Sequence, residues 1–118
     1  MAQPIPEWWC KAVVKALETY DPHIIDWTTT AFQRWHADTF GCIRGEAYPA
    51  LIDALSTPGI TGNETSAFEG QKAVYEFFFI FQPPNGGKRR AMYGKIALKN
   101  DGLRILILSA HNPQRSSL

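Results

Sequence analysis

The strongest pattern of apolar and polar positions in this chain runs from Ala73 to His111, and it predicts three antiparallel strands. The run AVYEFFFIFQ leads into a break rich in Pro and Gly, AMYGKIALKN follows, and LRILILSAH comes after the turn residues Asn100-Asp101-Gly102. Gly takes positive φ freely and Asp tolerates it, so this turn predicts a hairpin with a two-residue loop. The segment is therefore expected to form a β-meander of at least three strands.

Side chains alternate along a strand, so the hairpin sorts its residues onto two faces. The residues expected on the first face are Met92, Gly94, Ile96, Leu98, Leu103, Ile105, Ile107, Ser109 and His111. Those expected on the second are Tyr93, Lys95, Ala97, Lys99, Arg104, Leu106, Leu108 and Ala110. The first face is almost wholly apolar, which is typical of a sheet that packs on a layer of helices.

The run Phe77–Phe81 does not alternate, so it places large apolar groups on both sides of the sheet. Three helices readily cover one side only, and the remaining segments are short and polar. We therefore expect an identical sheet from a second protomer to cover the other side. The sequence predicts a homo-oligomer, most simply a two-fold dimer.

The first part of the chain predicts three helices. One runs from Pro6 or Glu7 to Tyr20, a second from the Asp21-Pro22 start signal to about Thr39, and a third over Glu46–Leu55. The β-branched run Thr28–Thr30 is poor helix material in the middle of the second helix. Residues 60–70 and 83–90 are expected to be loops, and residues 114–118 a frayed tail. The predicted fold is α+β, with N-terminal helices packed on a C-terminal antiparallel meander in a single domain of residues 1–118.

Length, charge and cysteine content narrow the class of protein only broadly. A chain of 118 residues can bury a proper core without disulfides, and 12 basic against 11 acidic residues leave a net charge of +1. Cys10 and Cys42 lie in no zinc spacing, and no signal-peptide or membrane-span pattern is present. These features predict a cytoplasmic, soluble protein with reduced thiols and no membrane association.

The residues that most often carry catalysis form no recognisable motif. His23, His36 and His111 share no ligand spacing with the cysteines, so no metal and no cofactor are expected. Glu76 interrupts the aromatic strand, and it either faces solvent at a sheet edge or needs a polar partner. Whether the protein is an enzyme is left open by the sequence.

The favoured hypothesis is a small non-catalytic binding domain that works as a homo-oligomer. A pocket for a small apolar ligand is expected between the helices and the sheet. The side chains expected to line it are aromatic: Trp8, Trp9, Trp27, Trp35, Tyr75, Phe77 and Phe79.

The alternative hypothesis rests on the basic residues of the second sheet face. The run RRAMYGKIALKNDGLRILILSAHNPQR resembles the closing hairpin of the RelE/ParE toxin superfamily, helices packed on an antiparallel sheet. The resemblance implies a metal-independent ribonuclease in which Tyr93, Lys95, Lys99 and Arg104 hold RNA and stabilise the charge that develops during cleavage. Nucleic acid is therefore not excluded as a partner, and His111 is expected on the opposite face from these residues.

Overall fold

The computed structural model describes residues 2–84 and 86–114, and in these residues three α-helices precede most of a six-stranded sheet. The helices are α1 (Glu7–Leu17), α2 (Thr29–Asp38) and α3 (Tyr48–Leu55), with a short 3-10 helix at Arg44–Ala47. The strands are β1 (Gln3–Pro4), β2 (Ile25–Trp27), β3 (Thr61–Thr65), β4 (Gln71–Phe81), β5 (Arg90–Lys99) and β6 (Ile105–His111). Of the predicted frayed tail, residues 115–118 lie outside the described residues.

The strands are arranged in the order β1-β3-β4-β5-β6-β2. Neighbouring strands are antiparallel except for β2, which lies parallel to β6. Strands β4, β5 and β6 follow one another as the predicted meander. The structure confirms the α+β fold class, with the helices mainly N-terminal and the long strands C-terminal.

The helices pack on one face of the sheet, called here the inner face. Along α1, Trp9, Val13 and Leu17 recur every four residues and are fully buried, which is the stripe an amphipathic helix buries. On β4 the alternate residues Phe77 and Phe79 lie beneath the helices. The positions predicted to face the helices from β5 and β6 are also buried: Met92, Ile96, Leu98, Ile105 and Ile107.

The predicted second helix is wrong in its first part, because Ile25–Trp27 forms β2 and the helix begins only at Thr29. The Thr28 hydroxyl accepts a hydrogen bond from the Ala31 N–H at 3.0 Å and so caps the new helix start. The threonine run that made this segment poor helix material therefore marks the boundary between strand and helix.

The predicted third helix and the loop after it are also corrected. A 3-10 turn occupies Arg44–Ala47, and α3 begins at Tyr48, two residues later than expected. Part of the expected loop of residues 60–70 forms β3, which pairs with β4 on one side and β1 on the other. β3 lies next to the edge strand β1, and its residues are mostly polar. Hydrophobic periodicity therefore gave no signal for a strand here.

A bulge in β6 corrects the predicted assignment of the last residues to the two faces. The register runs from Ile96 opposite Ile107 to Lys95 opposite Ser109, so Leu108 is an extra residue on β6. Beyond it Ala110 turns inward and is fully buried. Ser109 and His111 consequently share the outer face with Tyr93 and Lys95, contrary to the prediction.

Candidate functional sites

The aromatic side chains predicted to line a ligand pocket form the centre of the core. Trp9, Trp35 and Phe77 have no exposed surface, and Phe79 has 2%. The Trp9 ring lies 5.0 Å from Tyr75 and 6.4 Å from Phe77, measured between centroids. The rings occupy the volume in which a ligand was expected, and their role in ligand binding stays a prediction.

The other two predicted tryptophans lie at the margin of this cluster. Trp27 is half-buried at the end of β2, and its indole N–H donates to the Tyr48 hydroxyl at 2.9 Å. Trp8 is 50% exposed, with the Lys72 ammonium 5.4 Å from its ring centroid. Of the seven predicted pocket residues, five are therefore packed in the core, Trp27 is half-buried and Trp8 is exposed. Tyr48 is a buried member that the sequence did not single out, since its apolar neighbours in α3 gave no sign of a polar partner.

The outer face of the sheet carries two rows of side chains that run across neighbouring strands. The first row is polar, with Glu76 of β4 opposite Asn63 of β3 and opposite Lys95 of β5, which in turn faces Ser109 of β6. The second row is aromatic and is called here the outer aromatic row: Phe78 of β4, Tyr93 of β5 and His111 of β6. These residues line a depression of about 220 Å³ together with Gln114.

The Glu76 carboxylate is buried. Of the two alternatives that the sequence left open, the structure therefore supports a carboxylate with polar partners and not one that faces solvent at a sheet edge. The Glu76 side chain is enclosed although it lies on the outer face. The Tyr93 hydroxyl donates to Oε1 at 2.6 Å and the Asn63 amide donates to Oε2 at 3.2 Å. Short hydrogen bonds to a carboxylate are among the stronger ones in proteins, so Glu76 fixes the orientation of the Tyr93 ring.

His111 is brought to this site by the bulge. Its ring centroid lies 5.1 Å from that of Tyr93, and its Nδ1 lies 2.7 Å from the carbonyl oxygen of Asn112. A carbonyl oxygen only accepts, so Nδ1 carries the proton and, in the neutral ring, Nε2 is the acceptor. The sequence missed this neighbour of Tyr93 because a bulge leaves no mark on local periodicity.

The four residues proposed for RNA cleavage share the outer face, as predicted, but they spread along it. Tyr93 and Lys95 lie in the middle of β5, whereas Lys99 and Arg104 lie beside the β5–β6 turn. Lys99 is 4.0 Å from the Asp26 carboxylate, and the Arg104 guanidinium is 2.6 Å from Asp101. Tyr93 and Lys99 are about 20 Å apart at the usual rise of a strand.

Asp101 holds the β5–β6 turn together, and Arg104 is one of its hydrogen-bond partners. Its carboxylate accepts from the backbone N–H groups of Arg104 and Leu103 at 3.0 and 2.8 Å, and from the Arg104 guanidinium. These hydrogen bonds, the one from the Arg104 backbone first, hold the pKa of Asp101 well below its ordinary value. Arg104 therefore stabilises the turn.

A cleft of about 760 Å³ lies between α1 and the loop that joins α3 to β3. The buried side chains along it are apolar: Ile5, Cys10 and Leu55, with the half-buried Val14 and Ile60 beside them. Charged side chains of α1 and of its C-cap residue form the rim: Glu7, Lys11, Lys15 and Glu18. The sequence did not predict this cleft, because its two walls are distant in the chain.

Cys10 is the one thiol on the cleft wall, since Cys42 is not among the residues that line it. Burial raises the pKa of the Cys10 thiol, and the charge of Glu7 raises it further. The thiol is therefore neutral at pH 7 and behaves as a small apolar group.

Comparisons with known proteins add no assignment: no protein family model matches the chain, and neither a curated protein nor a solved structure does. Within residues 2–84 and 86–114, no three His, Cys, Asp or Glu side chains are grouped so that they could hold a metal ion. No helix in the same residues is long and apolar enough to span a membrane.

Proposed function

We propose that this protein is a non-catalytic binding domain that holds a small apolar ligand in the cleft between α1 and the α3–β3 loop. The observation that carries the proposal is the cleft itself, whose 760 Å³ lies within the range of small-molecule sites. Its walls are α1 and a loop whose backbone N–H groups at Ser56, Thr57 and Ile60 are hydrogen-bonded, so we expect the space to exist before a ligand arrives.

The chemistry of the cleft indicates an uncharged ligand. The deepest contacts would be with Ile5, Cys10 and Leu55, all less than 10% exposed, and none of them carries a charge at pH 7. On the rim two carboxylates balance two ammonium groups, and the Glu7–Lys11 pair is closed at 3.0 Å. Burial of apolar surface is therefore the main source of affinity.

A second hollow, of about 730 Å³, lies between α3 and the end of β4 and is less suited to this role. Phe81 is the one buried side chain among its described walls, and Glu46, Asp53 and Arg89 bring charge to it. An apolar ligand would remove less apolar surface from water there than in the cleft.

The proposal is tested with an uncharged fluorescent probe, N-phenyl-1-naphthylamine, titrated into the purified protein. Ser56 lies on the cleft and is exposed, so S56W places a ring in the space without disturbing the core. We expect S56W to weaken probe binding by about tenfold or more, which corresponds to about 1.4 kcal/mol. The matched control is S66W, which adds the same ring to the exposed β3–β4 loop and should bind the probe as the parent does.

The two cysteines give an independent location for the bound probe. Iodoacetamide reacts with a buried thiol only when the surrounding structure opens. Bound probe should slow alkylation of Cys10, on the cleft, more than that of Cys42, which is equally buried elsewhere. Equal slowing of both thiols, or equal probe binding by S56W and S66W, would exclude the cleft as the site.

Homodimerisation belongs to the same proposal and is placed at the β6 end of the outer face. Leu106 and Leu108 are half-buried there. Val74 and Ala97, which lie opposite each other beside Leu106, have no exposed surface. Leu106 pairs with Ala97, and Tyr93 lies four residues before Ala97 on β5, about 13 Å away at the usual rise of a strand. A contact centred on Leu106 is therefore nearer to the β5–β6 turn than the outer aromatic row is.

A further inference from the structure

The outer aromatic row is a group of three rings that the proposed cleft does not use. Phe78 and Tyr93 have centroids 6.4 Å apart with their planes nearly perpendicular, while Tyr93 and His111 are 5.1 Å apart and tilted by 35°. All three are half-buried, so each keeps part of its surface open on the outer face. Tyr93 and His111 are therefore in direct contact through their rings.

Hydrogen bonds hold two of the three rings in place. The Tyr93 hydroxyl is bound to the buried Glu76 carboxylate, which also accepts from Asn63. The His111 ring donates to the Asn112 carbonyl at its edge. Rings that are fixed in advance lose little conformational entropy when a flat ligand stacks on them.

The depression beside the row has the size of one aromatic ring system. Its volume is about 220 Å³, and Phe78, Tyr93 and His111 form most of its wall, with the Gln114 amide at one side. An amide side chain can donate to or accept from the edge of a heterocycle. The site therefore combines aromatic walls with a side chain that can form hydrogen bonds.

Basic side chains flank the row on both sides. Lys95 is the next outward-facing residue along β5, about 7 Å from Tyr93 at the usual rise of a strand. Lys88 lies in the β4–β5 loop, at the end of the sheet where the row is located, whereas Arg89 of the same loop lines the hollow between α3 and β4. Both loop residues are exposed, and among the described residues neither forms an ion pair.

We propose that the outer aromatic row binds single-stranded nucleic acid, with one base stacked on Tyr93 and His111. Bases stack on aromatic side chains exposed on a sheet, and cations beside them contact the phosphates. In this site Lys95 would contact the backbone on one side of the base, and Lys88 of the β4–β5 loop on the other. A duplex would not bind in this way because its bases are stacked within the helix.

The probe for this proposal is a fluorescein-labelled oligouridine of about ten nucleotides, within the usual site size of such surfaces, followed by fluorescence anisotropy. We expect binding that weakens as salt is raised, and a loss of about tenfold in affinity for H111A and for F78A. The matched control is F68A, which removes an exposed ring from the β3–β4 loop and should leave the affinity unchanged.

The charges are tested separately with the double variant K88A/K95A. It should weaken binding and reduce the salt dependence, whereas R44A/K72A removes two exposed cations away from the row, in the 3-10 helix and at the start of β4, and should change neither. Circular dichroism of every variant shows whether the fold is retained. Y93F keeps the ring but loses the hydroxyl, so it reports on the Glu76 contact even where F78A or H111A proves unstable.

Several results would overturn the proposal. Absence of oligouridine binding by the parent protein would do so, as would equal affinity for a duplex of the same length. An affinity loss in F68A equal to that in H111A would assign the binding to another surface. The cleft is on the helical side of the sheet, so these results leave the probe-binding test unaffected.

Discussion

Replacing Gly62 by alanine should be among the more destabilising single-methyl additions available in this chain. Gly62 lies within β3, between β1 and β4, and it is buried. A Cβ at this position would lie 2.9 Å from Ile5 Cδ1 and well inside the contact distance of the Glu76 carbonyl oxygen. The carbonyl belongs to the backbone of β4, which is paired on its other side with β5 and cannot withdraw.

The size of the effect follows from what must move. Overpacking a tight site costs about 1–3 kcal/mol. If β3 shifts outward to relieve the contact, the hydrogen bond from Asn63 to the Glu76 carboxylate is lost as well, at about 1 kcal/mol. We therefore expect the free energy of unfolding to fall by about 2–4 kcal/mol, and the melting temperature by about 8–15 °C for a domain of this size.

The assay is urea unfolding followed by tryptophan fluorescence, with G45A as the matched control. Gly45 lies in the 3-10 helix, where an added Cβ would meet nothing closer than the Tyr20 ring at 3.9 Å, an ordinary contact. G45A should keep the stability of the parent within about 0.5 kcal/mol. If G62A were no less stable than G45A, the close pairing of β3 with β4 would be wrong.

Further expectations concern the core, the buried thiol, the quaternary structure and RNA. I107D should abolish cooperative thermal unfolding because Ile107 is fully buried, and a cooperative transition in I107D would contradict the packing of the helices on this face. The control L103D, at a site that is 61% exposed, should melt as the parent does. Burial raises the pKa of Cys10, so the thiolate absorbance that C10S removes should appear at higher pH in the folded protein than in urea. The stability that the neutral thiol contributes should fall as the pH rises through the raised pKa, and equal midpoints in the two states would contradict the raised pKa. Light scattering at micromolar concentration should give a dimer mass that L106D, but not L103D, reduces to the monomer, and a monomeric parent would end the dimer proposal. RNA incubated with the protein should stay intact, and cleavage that disappears in K95A would instead support the ribonuclease hypothesis.

The parts of the fold that the sequence predicted are those with local signals. The apolar periodicity of α1 and the turn at Asn100-Asp101-Gly102 depend on neighbours in the chain, and both are present, Gly102 with φ of 71°. The hairpin loop is longer than predicted, since Lys99 pairs with Arg104. Leu103 is consequently exposed in the turn and not on the inner face as expected.

The parts that the sequence missed depend on distant partners. β2 has three residues and exists because β6 lies beside it, so no periodicity within residues 25–27 could indicate it. The candidate sites show the same limit. Tyr93 and Glu76 were each notable in the sequence, but their hydrogen bond and the nearness of His111 depend on strand register and on one bulge.

The parallel pairing of β2 with β6 has a consequence for synthesis on the ribosome. β2 comes early in the chain and its partner is the last strand, so the sheet cannot be completed until β6 has been made. Until then α1, α2 and the segment between them have no finished surface to pack on. Once in place, β2 covers the edge of β6, an apolar strand whose open backbone groups would otherwise recruit strands from other nascent chains. β2, a short segment made early in synthesis, therefore protects the edge of β6 from aggregation only after β6 has been made.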